Sequence, residues 1–459
     1  MIKATPTDGL CYNPSDAKYW DEKGLDAEIE RVFDVCHGCR LCFNLCPSFP
    51  TLFDAVDRHD GDVRKLSRAE NDAVVDDCYQ CKLCYVKCPY TPDDKHSFQL
   101  DFPRLLLRYN AVRVKKNGLG LRERFLGDPI TAGKIGSALA PVSNVANRTK
   151  AHRVLMEKSM GIHRDKQLPE FHRETFEKWR SKHADAPRVD AAASGEEVVL
   201  FHTCFVNFNN PGVGKAAIEV LEHNGVRVHT PAQGCCGMPA MDGGDIEHAR
   251  VQARQNVATL APYVARGMKV LAINPTCSYT MKKEYVDLVG PDMAADASAL
   301  AAATRDLMEY LFELKREGKF ERDFKTTPGD VAYHLPCHLK AQNIGYRSRD
   351  VMKLVPGTKV RVVDACCGHD GTWAMKTENF EKSMKVGKTA FEGMLENGED
   401  GAPALMATDC PLAAIQFEQA TGTRPIHPIE VLASAYRDAG FDTAVPEATP
   451  SPDNSRKQS

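Results

Sequence analysis

The chain has 459 residues, 43% of them apolar, a formal net charge of -3 and 17 cysteines. That length fits about three domains, and no run of eighteen or more apolar residues occurs, so no membrane-spanning helix is expected. The N-terminus, MIKATPTDGLCYNP, has no basic region followed by an apolar core and a cleavage site, so a cytoplasmic chain is expected. In a reduced compartment an odd and abundant set of cysteines points away from disulfides and toward ligand chemistry.

The first element is a loop, CHGCRLCFNLCP, with Cys36, Cys39, Cys42 and Cys46 spaced CxxCxxCxxxC and closed by Pro47. It recurs as CYQCKLCYVKCP, with Cys78, Cys81, Cys84, Cys88 and Pro89. Structural zinc sites usually show two separated CxxC pairs, whereas three cysteines at consecutive CxxC intervals followed by CP match the bacterial ferredoxin pattern. A cubane [4Fe-4S] cluster takes three thiolates from one tight loop, and the cysteine before proline serves the other cluster. Cys36, Cys39, Cys42 and Cys88 are therefore expected around one cluster, and Cys78, Cys81, Cys84 and Cys46 around a second. Residues 1–103 read as a ferredoxin-like domain.

Residues 104–180 read as a basic helical segment, with helical apolar spacing in FPRLLLRYNAVRV. From Arg104 to Lys166 there are 14 Lys and Arg against 4 Asp and Glu. Such a surface suits an anionic membrane or an acidic partner, with a solvated helical face as the plain alternative. Nucleic acid is not expected, because no stacking aromatics or DNA-binding motif accompany the charge. The polar, Ala/Ser-rich stretch 181–197 reads as a linker and 441–459 as a disordered tail.

Between them lies an internal repeat, 198–327 and 328–440. In each copy a β-rich run ends in one cysteine, a helix follows, a second run ends in CCG, and a third ends in cysteine. Strands alternating with helices predict a parallel sheet, with ligands beyond the carboxyl ends of the strands. Cys204, Cys235, Cys236 and Cys277 should converge there in the first copy, and Cys337, Cys366, Cys367 and Cys410 in the second. Gly237 and Gly368 let the backbone approach a bulky ligand. The overall fold class is α+β: a helical ferredoxin-like domain with two [4Fe-4S] motifs, followed by two α/β CCG repeats.

The stretches PCHLKAQNIGYRSRD, CCGHDGTW, ATDCPLA and NPTCSYTMKKEY carry a resemblance. The repeat resembles the cysteine-rich module of heterodisulfide reductases and of glycolate and lactate oxidase iron-sulfur subunits, and most of all the C subunits of anaerobic glycerol-3-phosphate dehydrogenases. The resemblance implies one or two further clusters at the CCG sites. In heterodisulfide reductases the full module has five cysteines and holds a noncubane cluster; here Thr280 and Ala413 stand at the fifth positions. That departure leaves four thiols per site and weakens the case for disulfide chemistry. A zinc site completed by histidine is the alternative: His202, His334, His338 and His369 flank the CCG cysteines, with packing as the commoner fate of such residues. Cys11 reads as a plain thiol.

GVGKAA, Gly212 to Ala217, fits a dinucleotide fingerprint, but the next strand lacks the acidic residue that holds a ribose. With no flavin site visible, a separate flavoprotein dehydrogenase is the expected donor. The expected function is an iron-sulfur electron-transfer subunit passing electrons toward membrane quinone, the chain sitting peripherally on the inner face of the membrane. The alternative is a reductase component acting on a disulfide or supplying a rubrerythrin-type diiron peroxidase.

Overall fold

A computed structural model of the chain describes residues 3–369, 371–399 and 401–441. The expected tail lies, from 442 onward, outside the described residues.

The N-terminal part is helical, as its motifs require. Helix α1, Glu22–Cys39, starts where the Asp21 carboxylate accepts from the Gly24 N–H, and ends at Arg40 in the left-handed region at φ 52°. Helices α2, Ser48–Arg58, and α3, Arg68–Asp76, follow; Ser67 and Glu70 cap α3 reciprocally. The short α4, Leu83–Lys87, is preceded by Lys82, left-handed at φ 63°. Arg40 and Lys82 occupy the same place in the two cysteine motifs, directly after the second cysteine. Each accepts roughly 1–2 kcal/mol of left-handed strain so that the loop turns back and three thiols face one side.

Helix α5, Phe102–Asn117, is predicted as part of the basic segment but runs through the core, with Leu105, Leu106 and Tyr109 fully buried. Its buried Arg108 donates to the carbonyls of Gly9, Lys18, Tyr19 and Asp21, clasping the N-terminal strap. Helices α6, Leu121–Gly127, α7, Pro129–Ala138, α8, Ala140–Arg148, and α9, Lys150–Met160, complete the segment.

The charge of this segment is not one continuous surface. Arg104 pairs with Glu284 and Asp287, Arg113 with Asp72 and Asp76, Lys116 with Glu22, and Arg122 with Glu123 and Glu378. Arg124, Lys134, Lys150 and Lys158 remain exposed. Between them stand exposed apolar side chains, among them Leu121, Ile135, Leu139, Val142, Val145 and Leu155. The sum of charges concealed how many are neutralised by carboxylates distant in sequence, and the exposed apolar face emerges only once the helices are packed.

After α10, Phe176–Arg180, each repeat forms a parallel sheet. In the first, β1 (Glu197–Phe201), β2 (Arg227–His229), β3 (Lys269–Ala272) and β4 (Thr304–Asp306) lie in the order β2-β1-β3-β4. In the second, β5 (Asp330–His334), β6 (Lys359–Val363) and β7 (Leu405–Thr408) lie in the order β6-β5-β7. The chain leaves the central strand to opposite sides, and the crevice beyond its carboxyl end is where ligands bind in such sheets. The repeats share one core: Ile429, Leu432 and Tyr436 from the last helix join Val213, Ile218 and Leu221 of α12, Pro211–His223. The GVGKAA stretch lies in the first turns of α12, where a Cβ on Gly214 would meet the Phe176 ring at 2.4 Å. This glycine serves helix packing.

Arg108→Leu should lose on the order of 3 kcal/mol of stability, because several buried carbonyls lose their donor. Urea unfolding of the anaerobically prepared protein checks this against Lys150→Leu, expected within about 0.5 kcal/mol of wild type. Equal stability of the two variants would show that Arg108 is not a clasp.

Candidate iron-sulfur centres

The fold gathers the ferredoxin-type thiols in crossed sets. Cys36 and Cys39 end α1, and together with Cys42 and Cys88 they line one cavity walled by Phe49, Phe53 and Tyr90. Burial, and then Cys88, Cys42 and Cys39, push the Cys36 thiol up. Cys46 belongs electrostatically to the other loop: burial and then Cys78 raise it. Burial, then Cys81, Cys78 and Cys46, raise Cys84. Crowded buried thiols that raise one another are costly unless a cation-rich core takes up their charge, and four thiols around a cavity fit a cluster in chemistry and in number. The Tyr90 N–H and the Gln80 amide donate to Cys88 and Cys78 sulfur at 3.4 and 3.5 Å.

The CCG cysteines all fall beyond the carboxyl ends of the strands. In the first copy β1 leads to Cys204, the first residue of α11, Cys204–Phe208. The CCG after β2 precedes α13, Met238–Asp242, and packs against α14, Ile246–Val264. After β3, Cys277 lies in α15, Pro275–Tyr279. Gly237 is left-handed at φ 95°, and a Cβ there would stand 3.2 Å from the Ala249 carbonyl oxygen. Hydrogen bonds from Cys235 and Cys277 hold Cys236 well below the usual thiol range. Thr280 occupies the fifth position inside a π-helical turn, Thr280–Glu284, its hydroxyl donating to the Thr276 carbonyl at 2.7 Å.

In the second copy Cys337 opens a short helix after β5, Cys366 and Cys367 follow β6, and Cys410 caps the helix after β7. Gly368 is left-handed at φ 72°, and a Cβ there would lie 2.0 Å from the Ser383 carbonyl oxygen. Cys366 is held down to about 6, first by the Cys337 hydrogen bond, with help from the Tyr79 hydroxyl and the Gly368 N–H. Cys367 and Cys410 share an apolar cluster with Phe391 and Phe417. Buried Ala413 stands at the fifth position.

The histidines divide. His202 faces Glu177 at 3.4 Å and packs on Phe176. His334 shares a hydrogen bond with Thr408 at 3.0 Å, and burial pushes it down to about 3. His369 is buried, and burial and then Lys166 hold it neutral. Cys11 donates to the Asn13 carbonyl. Among the described residues no three His, Cys, Asp or Glu side chains are grouped as a single metal ion requires.

His338 has the most consequential place. Its Nε2 is 3.0 Å from the Gln80 carbonyl and its Nδ1 2.9 Å from the Thr276 hydroxyl. A carbonyl only accepts, so Nε2 carries the proton and Nδ1 accepts from Thr276. Burial, which lowers this histidine, keeps the ring in that neutral form. Gln80, Thr276 and His338 are immediate neighbours of Cys81, Cys277 and Cys337, so one imidazole links the second ferredoxin loop to both CCG sites. Beside it, the Tyr79 hydroxyl lies 3.1 Å from the Leu45 carbonyl and 3.4 Å from Cys366 sulfur. The Tyr79 ring packs 5.0 Å from Trp373, whose indole N–H donates to the Asp76 carbonyl. Cysteine spacing drew attention to none of Tyr79, Gln80, Thr276 and Trp373; their only signal is that three of them stand close to cysteines in the chain and the fourth lies near the second CCG.

Parallel sheets bearing cysteines at their carboxyl ends, in two copies behind paired four-cysteine loops, define a two-repeat cysteine-rich iron-sulfur protein. Residues 28–89 match the 4Fe-4S dicluster domain family, and residues 198–282 and 331–417 match the cysteine-rich CCG domain family. The chain is 31% identical over 335 residues, 72% of its length and 80% of the relative's, to the C subunit of the anaerobic glycerol-3-phosphate dehydrogenase of Escherichia coli (strain K12). It is 30% identical over 221 residues, 47% of its length and 87% of the relative's, to lactate utilization protein A of Geobacillus kaustophilus. The chain belongs to the family of anaerobic glycerol-3-phosphate dehydrogenase C subunits, and its role is iron-sulfur electron transfer.

The crossed arrangement predicts that Cys46→Ser reproduces the EPR change caused by Cys78→Ser rather than that caused by Cys36→Ser. Spectra of the three reduced, anaerobically purified variants decide it; a Cys46 variant that matched Cys36→Ser would reverse the assignment.

Proposed function

We propose that the chain is the electron-transfer subunit of a flavin-linked dehydrogenase, taking electrons from a separate flavoprotein and delivering them to membrane quinone. The observation that carries this reading is the contiguity of the three cysteine sites around His338. Two cubane [4Fe-4S] clusters, one on Cys36, Cys39, Cys42 and Cys88 and one on Cys78, Cys81, Cys84 and Cys46, would lead to centres on the two CCG sets. Each cluster, when bound, stores and releases single electrons. The protein supplies thiolates, sulfur-directed hydrogen bonds and burial. The name of the first relative supports glycerol 3-phosphate as the donor enzyme's substrate class. Of the domain limits expected from the sequence, 1–103 and 104–180 are better divided after Asn117, because α5 packs into the ferredoxin-like core, and 181–197 is better ended before β1; 198–327 and 328–440 are proposed for the repeats.

Disulfide reduction is less well supported, because Thr280 is tied to the backbone and Ala413 is packed where a fifth thiol would stand.

No helix among the described residues is long and apolar enough to cross a membrane. Peripheral attachment is supported by the exposed apolar side chains of α6 to α9 with Arg124, Lys134, Lys150 and Lys158 among them. Basic residues near an anionic surface contribute about 1 kcal/mol each, and buried apolar side chains add a salt-resistant part. Replacing these four residues with glutamine should weaken sedimentation with anionic vesicles at low salt, and Leu139→Ser with Val142→Ser should remove what survives at high salt. No binding to either kind of vesicle would move the acceptor off the membrane, and equal binding to both would leave the apolar side chains as the whole attachment and the basic residues as a solvated face.

Tyr79→Phe removes a hydroxyl from beside Cys366 sulfur and should lower the potential of the second CCG centre in a redox titration, with iron content unchanged. An unaltered potential would take Tyr79 out of the path.

A further inference from the structure

The last positive charge of the basic segment goes inside the protein. Lys166, 2% exposed, enters the second repeat from a loop, residues 161–167, that follows α9. The loop is tied first to the segment after the second CCG. Ile162 pairs with Lys376 in an antiparallel bridge, the His163 N–H donates to the Met375 carbonyl at 2.9 Å, and the His163 ring stacks on Phe380 at 4.0 Å. It is tied also to the helix that Cys410 caps, Pro411–Thr421. The Gln167 N–H donates to the Gln419 side chain at 3.1 Å, and the Gln419 amide donates to the Asp165 carbonyl at 2.7 Å. Buried Arg153 of α9 holds the turn, donating to the carbonyls of His163, Arg164 and Lys166.

What the loop delivers is an ammonium. Lys166 Nζ donates to Gln416 Oε1, the Gln416 amide donates to the Ser383 hydroxyl at 2.9 Å, and that hydroxyl donates to the Gly368 carbonyl at 2.7 Å. The relay thus ends on the glycine of the CCG itself. A buried ammonium is costly unless an anion accompanies it, and among the described residues no carboxylate pairs with Lys166. The second CCG set supplies the anion. Burial pulls Lys166 down to about 8, and the charge that works against burial is that of Cys367, so the group is still an ammonium at neutral pH. By contrast, the space over Cys204, Cys235, Cys236 and Cys277 is lined by no Lys or Arg among the described residues.

We propose that Lys166 is the fixed countercharge of the centre on Cys337, Cys366, Cys367 and Cys410 and raises its reduction potential above what the thiolates alone would set. This rests on the electron-transfer reading given above, with an iron-sulfur centre on that set. Reducing a centre ringed by thiolates adds negative charge, and a cation held nearby in a region of low dielectric favours the reduced form. One lysine therefore makes two repeats with the same thiols unequal as electron carriers.

The test is an EPR-monitored redox titration of the anaerobically purified full chain, following the signal that Cys366→Ser with Cys367→Ser removes. Lys166→Gln removes the charge and keeps a hydrogen-bonding side chain. It should shift the reduction equilibrium of that centre at least tenfold toward the oxidised form, about 59 mV for one electron, while the two N-terminal clusters stay unmoved. Lys166→Arg should stay near wild type. Gln416→Glu, which sets a carboxylate on the ammonium, should reproduce the shift with the lysine in place. Unchanged potentials in both Lys166→Gln and Gln416→Glu, or an equal shift in Lys166→Arg, would overturn the proposal and leave Lys166 a packing residue. Where Lys166→Gln loses the iron of the second set, retention in Lys166→Arg would still assign the effect to charge, and loss in both would overturn it. The cysteine pair separates the two readings: iron content that does not fall in Cys366→Ser with Cys367→Ser would overturn the centre itself, whereas a centre insensitive to Lys166 overturns only the lysine.

Discussion

A buried lysine in a cysteine loop sets the arrangement of this protein. Lys82, 1% exposed, lies between Cys81 and Cys84, donates to Gln80, and faces Glu284 at 3.7 Å. Glu284 ends the π-helical turn that follows Cys277 and also receives Arg104 of α5 at 3.1 Å. Burial opposes both charges, yet Arg104 and Lys82 keep Glu284 below the usual carboxyl range, and Glu284, Asp101 and Asp287 raise Arg104. Such a network adds little net stability over an apolar contact, but losing one member strands a buried charge at about 3–5 kcal/mol. Its effect is to specify one docking of the second cluster loop against the first repeat.

That docking makes two similar repeats unequal. The second presents Cys337 and Cys366 to Tyr79, Cys81 and Trp373 in one apolar cluster with the ferredoxin loop. The first turns its thiols toward the helical segment and the cavity beneath α6 and α7. A buried acid pair joins the copies: burial pushes Asp409 up to about 6, and burial with Asp409 raises Asp306. Asp409 accepts from Tyr333 and Ser348, and Ser278 donates to Asp306 at 3.4 Å. Raised carboxyls hold their protons more readily and so repel one another less, and the Tyr333, Ser348 and Ser278 hydroxyls supply their hydrogen bonds.

The helical segment has two separate tasks. Its first helix is a core element whose arginines are consumed by carboxylates and carbonyls. Its later helices roof a cysteine site with one face and leave leucine, isoleucine and valine outside with the other. Composition merges these tasks into a single basic stretch, because it counts charges without their partners.

Sequence by itself determined what is local. Two CxxCxxCxxxCP loops and two CCG repeats name the thiols, because a cluster's ligands come from tight turns whose spacing is readable residue by residue. The alternation of strands and helices placed the CCG cysteines beyond the carboxyl ends of parallel strands, since parallel pairing requires crossover helices. Tertiary structure alone decided how the sites meet. Gln80 and His338 are 258 residues apart and Tyr79 and Cys366 are 287 apart; contacts at that separation arise from packing and leave no periodicity in the chain. The same holds for His338, which sequence offers as a possible ligand and the fold uses as a hydrogen-bonding bridge, and for the packing of α7 on the Cys204-bearing helix, where Gly133 leaves room for the Phe208 ring.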